Sequence, residues 1–336
     1  MTPPAELARF LLAHNLATEG ESANWRPLTG GVSSDIWLVE LPGRALCLKR
    51  ALAKLKVAAD WEAPLSRNAH EWAWVKFAAR HCPDNIPAPI AHDAESGIFA
   101  MAFLPPEEHS GWKALLLGGH VEIETARAVG SLIGRIHAAS AKEPGLADQF
   151  DTIANFRALR LDPYLIATAN KYPTHAEVLE VLVKRTAAQR RVLVHGDVSP
   201  KNILVRPCGP VLLDAECAWF GDPAFDVAFC LNHLLLKCLV RPAERSKLFA
   251  SFRALTEAYF SNADWEPRAA LEERAATLLP ALMLARVDGK SPVEYLDDES
   301  DRDTVRRVAC SLLAGPVRTL SEAADRHAAA LQSCEG

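Results

Sequence analysis

The chain has 336 residues, 49% hydrophobic and 24% charged, the balance of an ordinary globular protein, which excludes a disordered or collagen-like chain. Its 37 basic and 42 acidic residues leave a net charge of −5, so no broad cationic surface is on offer to nucleic acid. No apolar run reaches the roughly 18 residues of a membrane span, and Met1-Thr2-Pro3-Pro4-Ala5-Glu6 lacks the positive start of a secretory signal. The length suits two domains, or two lobes sharing one cleft, because single cores stop growing at about 250–300 residues. Eight cysteines (Cys47, Cys82, Cys208, Cys217, Cys230, Cys238, Cys310 and Cys334) are scattered without a C-x-x-C pair. Thiols used as small core residues in a reducing, cytoplasmic setting are the expectation.

In chain order, residues 25–50 read as β-structure. Trp25-Arg26-Pro27-Leu28 leads into Thr29-Gly30-Gly31-Val32-Ser33-Ser34, and Asp35 to Leu41 follows as a strand. Pro42-Gly43 marks a turn, and Ala45-Leu46-Cys47-Leu48-Lys49 returns. From Arg67 the period becomes helical, with Trp72, Val75, Phe77 and Ala79 on one face and an end before Pro83. Pro87 to Ile90 is extended, and Ile98 to Leu104 is a buried strand stopped by Pro105-Pro106.

Beyond that point helices dominate. Ala126, Val129, Leu132, Ile133 and Ile136 recur at helical spacing, and Val178 to Val183 continues the trend. Further helices are predicted at about 224–239, 244–260, 268–287 and 303–331. Two short apolar strands, Val192-Leu193-Val194 and Val211-Leu212-Leu213, interrupt the run. The pattern predicts an α+β fold with two lobes: a small β-rich lobe over 1–105 and a larger, mostly helical lobe over 106–336, hinged near Pro105.

The densest chemical signal lies at the two short strands. The first delivers His195-Gly196-Asp197-Val198-Ser199-Pro200-Lys201-Asn202, and the second ends in Asp214. A lone Asp at a strand end is more often a turn or cap residue than a metal ligand. Two of them, with an Asn in the loop between, form a set of oxygen donors that phosphoryl transfer needs. One carboxylate orients the acceptor hydroxyl and takes its proton, while an Asn and another Asp hold Mg²⁺ on the phosphates. His195 and Asp226 read as structural, the first bracing the loop and the second stiffening it or starting a helix.

His195-Gly196-Asp197, Asn202 five residues on, and Asp214-Ala215-Glu216 resemble the aminoglycoside phosphotransferase and choline kinase family, whose members share the protein-kinase-like fold. Ala218-Trp219-Phe220-Gly221-Asp222-Pro223-Ala224-Phe225-Asp226 and Arg135-Ile136-His137-Ala138 extend the resemblance over about residues 25–240. It implies ATP and Mg²⁺ as cofactors, a small-molecule hydroxyl as acceptor, Asp197 as catalytic base, and Asn202 with Asp214 on the metal.

The nucleotide side follows from the same resemblance. Gly30, Gly31 and Ser33 lie between two predicted strands, where backbone N–H groups can approach phosphate. That segment read alone is a hairpin turn. Lys49 takes the place of the lysine on the α- and β-phosphates, with Glu71 as its carboxylate partner and Glu62 as a weaker substitute. Met101 and Phe103 fall where the backbone meets adenine. Lys201 is either a γ-phosphate contact or a surface lysine.

The acceptor is less legible. Trp219 could line its pocket, and Glu216 divides evenly between metal support and substrate contact. Residues 284–296 read either as a helix connection or as a substrate clamp. In the clamp, Arg286 and Lys290 favour an anionic or polyhydroxyl acceptor, whereas Asp288 and Glu294 favour a cationic one. A sugar or sugar-like alcohol is the preferred acceptor, with an aminoglycoside or choline-like amino alcohol as alternative. A non-catalytic nucleotide-binding scaffold is the other class, disfavoured because the base and both metal positions are intact. The sequence leaves the oligomeric state open.

Overall fold

A computed structural model describes residues 4–28, 34–52 and 66–332 of the chain. Helix α1 (Ala5–Ala13) precedes β1 (Asn24–Leu28), β2 (Ser34–Leu41) and β3 (Arg44–Ala51); α2 (Arg67–His81), β4 (Pro89–Asp93) and β5 (Ile98–Ala102) follow. The strands form one antiparallel sheet in the order β1-β2-β3-β5-β4. Alternation along β3 assigns its two faces. Leu46 and Leu48 pack with Leu7, Phe10 and Leu11 of α1 in a small apolar cluster, while Cys47 and Lys49 point to the other side, into a cleft.

Two expectations for this region need correction. The buried face of α2 is Trp74, Val75, Phe77 and Ala78; Trp72 and Ala79 are only partly covered, and Trp72 stacks on His92 of β4 with centroids 5.4 Å apart. The strand expected to run to Leu104 ends at Ala102, because Phe103 and Leu104 peel away to line the cleft.

The larger lobe begins with β6 (Ser110–Gly111), α3 (Trp112–Leu117), α4 (Ile123–Ala141), α5 (Leu146–Gln149) and α6 (Ile153–Phe156). A π-helical stretch, Arg157–Ile166, continues into α7 (Ala167–Lys171) and carries Pro163, whose missing N–H suits the wider turn. Then come α8 (Ala176–Ala188), β7 (Val192–Val194), β8 (Ile203–Arg206), β9 (Gly209–Leu212) and β10 (Trp219–Gly221). The last helices are α9 (Ala224–Val240), α10 (Arg245–Phe260), α11 (Arg268–Asp288), α12 (Glu299–Ala314) and α13 (Leu320–Gln332). The single helix expected over 303–331 is therefore two, broken at Gly315-Pro316, where proline cannot continue the ladder.

The core of this lobe is built around α9, buried on every side from Ala224 to Leu239. Helices α4 and α10 close to backbone contact at Gly130: a Cβ added there would stand 2.2 Å from the Leu255 carbonyl oxygen. The buried face of α2 joins this larger core, so that helix links the lobes. No described helix is long and apolar enough to cross a membrane.

Candidate active site

Three short antiparallel pairings present the polar loop. Strand β7 pairs with β10, β8 pairs with β9, and β6 adds to β8. Val192, Leu193 and Val194 are fully buried, each worth roughly 1.5–3 kcal/mol of burial, so the chain reaches His195 from a fixed base. Asp226, wholly buried at the start of α9, then accepts the backbone N–H groups of His195 and Gly196, both at 2.8 Å. His137 lies 3.2 Å from the same carboxylate and Tyr259 closes the chain at 3.0 Å from His137.

Gly196 is required here: its φ is +78°, and a Cβ would meet the Cys217 carbonyl oxygen at 2.7 Å. His195 is buried, which holds its imidazole below the usual range and neutral. Its Nδ1 accepts the Asp197 N–H at 3.1 Å, so its Nε2 is the donor to the Leu213 carbonyl at 3.0 Å. The ring thereby spans the two loops that carry Asp197 and Asp214, the bracing role expected from the sequence. The Asn202 carbonyl adds a second tie, accepting the Leu213 N–H at 2.9 Å.

Asp197 is shaped by two donors on one oxygen. Its Oδ2 accepts Asn202 Nδ2 at 2.7 Å and pairs with Arg160 Nη2 at 2.7 Å. Arg160 is itself buried in the π-helical stretch, donating Nε to the Gly196 carbonyl and Nη1 to the Leu159 carbonyl, both at 2.7 Å. This arginine is not legible in the sequence, since nothing local links positions so far apart before the fold does.

Buried Lys49 and Glu71 form a triad across the lobes with the partly buried Asp214. Lys49 Nζ donates to Glu71 Oε1 at 2.7 Å and to Asp214 Oδ1. Burial works against the Lys49 ammonium, but the two carboxylates outweigh it and hold it charged. Burial pushes the Glu71 carboxyl up to about 7, against the pull of Lys49. Asp214 goes the other way: burial raises it, but Lys49 and then Lys201 bring it down to about 2. Its backbone sits at φ +67°, a strained conformation that aims the carboxylate into the cleft.

The cleft between the lobes has a volume of about 420 Å³. Lys49, Glu71, Met101, Phe103, Lys201, Asn202 and Asp214 all line it, together with Leu28, Ile36, Cys47 and Leu204 as apolar walls. Gly30, Gly31, Ser33 and Glu62 lie outside the described residues. Cys47 was missed as a wall residue, although its place two before Lys49 on one strand face announces it.

Three sequence candidates stand elsewhere. Trp219, offered as a pocket wall, is buried in β10 and stacked on Phe156 at 4.4 Å, so it belongs to the core. Glu216 is covered and paired with Arg67 of α2 at 3.1 Å, which takes its carboxylate away from a substrate. Arg286 sits at the end of α11, where Nη1 donates to the Tyr164 hydroxyl at 3.0 Å and to Ser291. With Asp288 held by Arg306 at 2.9 Å and Tyr172 at 2.6 Å, residues 284–296 lie outside this cleft and are pinned by side chains.

A buried strand that delivers Asp197 and Asn202, a second carboxylate at the facing loop and a lysine–glutamate pair from the opposite lobe define a phosphotransferase-type cleft. Residues 24–271 match the model of the APH phosphotransferase enzyme family, and the chain belongs to that family. It is 22% identical over 236 residues to a methylthioribose kinase of Escherichia coli O45:K1, covering 62% of this chain and 56% of that protein. A methylthioribose kinase of Bacillus velezensis is 26% identical over 256 residues, with 66% and 64% covered. The chain thus spans only a little over half of the first of these relatives.

Among solved structures, a choline/ethanolamine kinase family protein from Mesorhizobium loti superposes with a TM-score of 0.56 at 17% identity, covering 98% of this chain and 99% of that one. An amicoumacin kinase in complex with AMP-PNP, Ca²⁺ and Ami superposes with a TM-score of 0.58 at 12% identity, covering 94% of each. At such identities the likeness is one of fold, the α+β architecture of a β-rich lobe and a helical lobe.

Proposed function

We propose that the protein is an ATP-dependent phosphotransferase that moves the γ-phosphate to a hydroxyl of a small metabolite, a sugar or sugar-like alcohol. The observation that carries this reading is the joining of two halves: Lys49, Asn202 and Asp214 line one cleft, and Asn202 holds Asp197 at 2.7 Å. In this reading residues 1–105 form the nucleotide lobe and residues 106–336 the catalytic and acceptor lobe. The seven described cysteines are all free thiols, in keeping with a reducing cytoplasm.

The cleft suits ATP and Mg²⁺. Asn202 and Asp214 offer hard oxygen donors on one wall, and no cluster of three or more His, Cys, Asp or Glu occurs among the described residues. Mg²⁺ asks for no more, because it keeps several waters and shares the phosphates. Bound there, it would neutralise charge on the transferring phosphoryl group. Met101 and Phe103 offer backbone groups to adenine, and Lys49 and Lys201 offer cations to the phosphates.

Asp197 has Oδ2 occupied by Arg160 and Asn202, which leaves Oδ1 to the acceptor hydroxyl. The acceptor oxygen forms its bond to γ-phosphorus, the bridge to the β-phosphate breaks, and the hydroxyl proton passes to Asp197. The transition state is loose, so the proton moves late and most of the catalysis is positioning. The names of the relatives support a sugar-like acceptor. Release of ADP with Mg²⁺ and ATP across sugars, amino alcohols, choline and aminoglycosides tests the reading. A hit lost in Asp197→Ala establishes it; no release and no nucleotide binding would overturn it.

A further inference from the structure

Helix α9 carries a lysine for which phosphotransfer has no use. Lys237 is wholly buried, its ammonium 4.3 Å from the centroid of the Tyr295 ring. Its hydrogen bond among the described residues is a long one, 3.5 Å, to the His233 carbonyl of its own helix. An ammonium carries three donors, so this one is poorly served.

The surroundings add positive charge instead of removing it. Burial, then Lys113 of α3 and Arg286 of α11, push Lys237 down to about 7, with only weak opposition from Cys230 and Glu294. Glu294 is itself taken by Lys113. Arg286 leaves its Nε buried and unpaired. His233, held neutral by burial and the same three cations, has Nδ1 3.0 Å from the Tyr295 hydroxyl and a buried Nε2 without a partner. Three cations and two idle nitrogens thus meet a single carboxylate. A buried cation without a counter-ion is expensive, and an arriving anion would relieve that cost.

Two connections tie this cluster to Asp197. The guanidinium carbons of Arg160 and Arg286 lie 5.7 and 5.6 Å from the centroid of one ring, that of Tyr164, and Arg160 grips Asp197. On the other flank, α3 packs on the Pro200–Asn202 turn of the catalytic loop.

We propose that the cluster of Arg286, Lys237, His233 and Tyr295 is the subsite for a carboxylate on the acceptor, and that the acceptor is a small polyhydroxy acid. This rests on the kinase reading and sharpens its acceptor. A guanidinium N–H and an imidazole nitrogen match the two oxygens of a carboxylate, and Lys237 supplies field through the Tyr295 ring. A quaternary amine or a polycationic antibiotic would meet like charge at the same place.

The test compares matched probes on the full chain: D-gluconate against D-glucitol, and ribose 5-phosphate against ribose. Calorimetric binding is read with and without ATP and Mg²⁺, beside ADP release. Gluconate is expected to bind at least tenfold more tightly than glucitol, and Arg286→Gln to remove roughly that factor. Binding at pH 8 should also take up a proton, since an anion favours the charged form of Lys237, and Lys237→Met should abolish the uptake. Equal affinity for gluconate and glucitol, or gluconate binding indifferent to Arg286→Gln, overturns the subsite. Selective binding of ribose 5-phosphate keeps an oxyanion site but overturns the carboxylate. Loss of ADP release with every acceptor, while gluconate binds as expected, would sink the kinase reading and leave the subsite standing.

Discussion

Lys49 on β3 and Lys237 on α9 are equally hidden from water, and their surroundings are opposite. Lys49 stands between two carboxylates from different elements, Glu71 and Asp214, and remains charged despite its burial. Lys237 has an aromatic face, a distant carbonyl and two cationic neighbours, and its proton is held weakly near neutrality. In the first place the fold has assembled a complete set of charge partners. In the second it has assembled half of one. Buried charge is tolerated where its partner is present, and where none is, the group gives up its proton more readily.

The sharpest way to break this comparison is to disable the catalytic side and ask whether the nucleotide side survives. Asp197→Ala should lower turnover by roughly 10²–10⁴-fold, the usual worth of a positioned proton acceptor, while nucleotide affinity stays within about twofold. A loss under tenfold, measured as acceptor-dependent ADP release, would remove Asp197 from its role. Asp214→Ala comes next. It takes away the proposed metal donor and one of the two partners of Lys49, so nucleotide binding should lose its Mg²⁺ dependence in a titration with and without the metal. If Mg²⁺ still tightens ATP binding in that variant, the metal is held elsewhere.

Lys237 gives the third prediction, and its sign follows from the depressed pKa. The unfolded chain binds this proton up to about 10.5 and the folded chain only up to about 7, so stability is fully present above 10.5 and declines as pH falls toward 7. Lys237→Met replaces the buried ion with an apolar chain of similar length and should stabilise the protein at pH 7 by about 1–4 kcal/mol in urea unfolding. The pH dependence between 7 and 10.5 should flatten with it. A destabilised variant would mean that Lys237 already has a partner.

The order of elements was legible in the sequence because periodicity and proline report local structure: the β3 strand, the start of α2 at Arg67 and the fall of the chain into helices after Pro105-Pro106 are all visible there. The loop chemistry was legible because Asp197, Asn202 and Asp214 lie close along the chain. What required three dimensions was contact between distant segments. Arg160 reaches Asp197 from the far side of α8, and Arg67 removes Glu216 from the acceptor. Trp219 follows the metal loop directly in sequence, yet its strand pairs with β7 and turns the indole into the core. The basic cluster is the extreme case, since Lys113, Lys237 and Arg286 come from three helices with no shared motif.

Glu71 offers the finest test of the complete set, because its effect separates from that of Asp214. In the free protein Lys49 has both partners, so Glu71→Gln leaves one ion pair in place and should cost little stability at neutral pH. Once a metal and phosphates compete for Asp214, Glu71 is the carboxylate left to aim Lys49, and its loss should raise KM for ATP roughly tenfold, about 1.4 kcal/mol. The pH signature has the opposite sign to that of Lys237. The carboxyl sits at about 7 when folded and 4.5 in the ordinary range, so the folded chain holds a proton that the unfolded chain releases. Its contribution is present below 4.5 and is lost as pH rises through 7, up to about 3 kcal/mol. Glu71→Gln, which cannot ionise, should therefore lose less stability than the parent between pH 5 and 8. Parallel stability curves for the two proteins would mean that Lys49 keeps Glu71 ionised throughout, and that the pair is charged on both sides before ATP arrives.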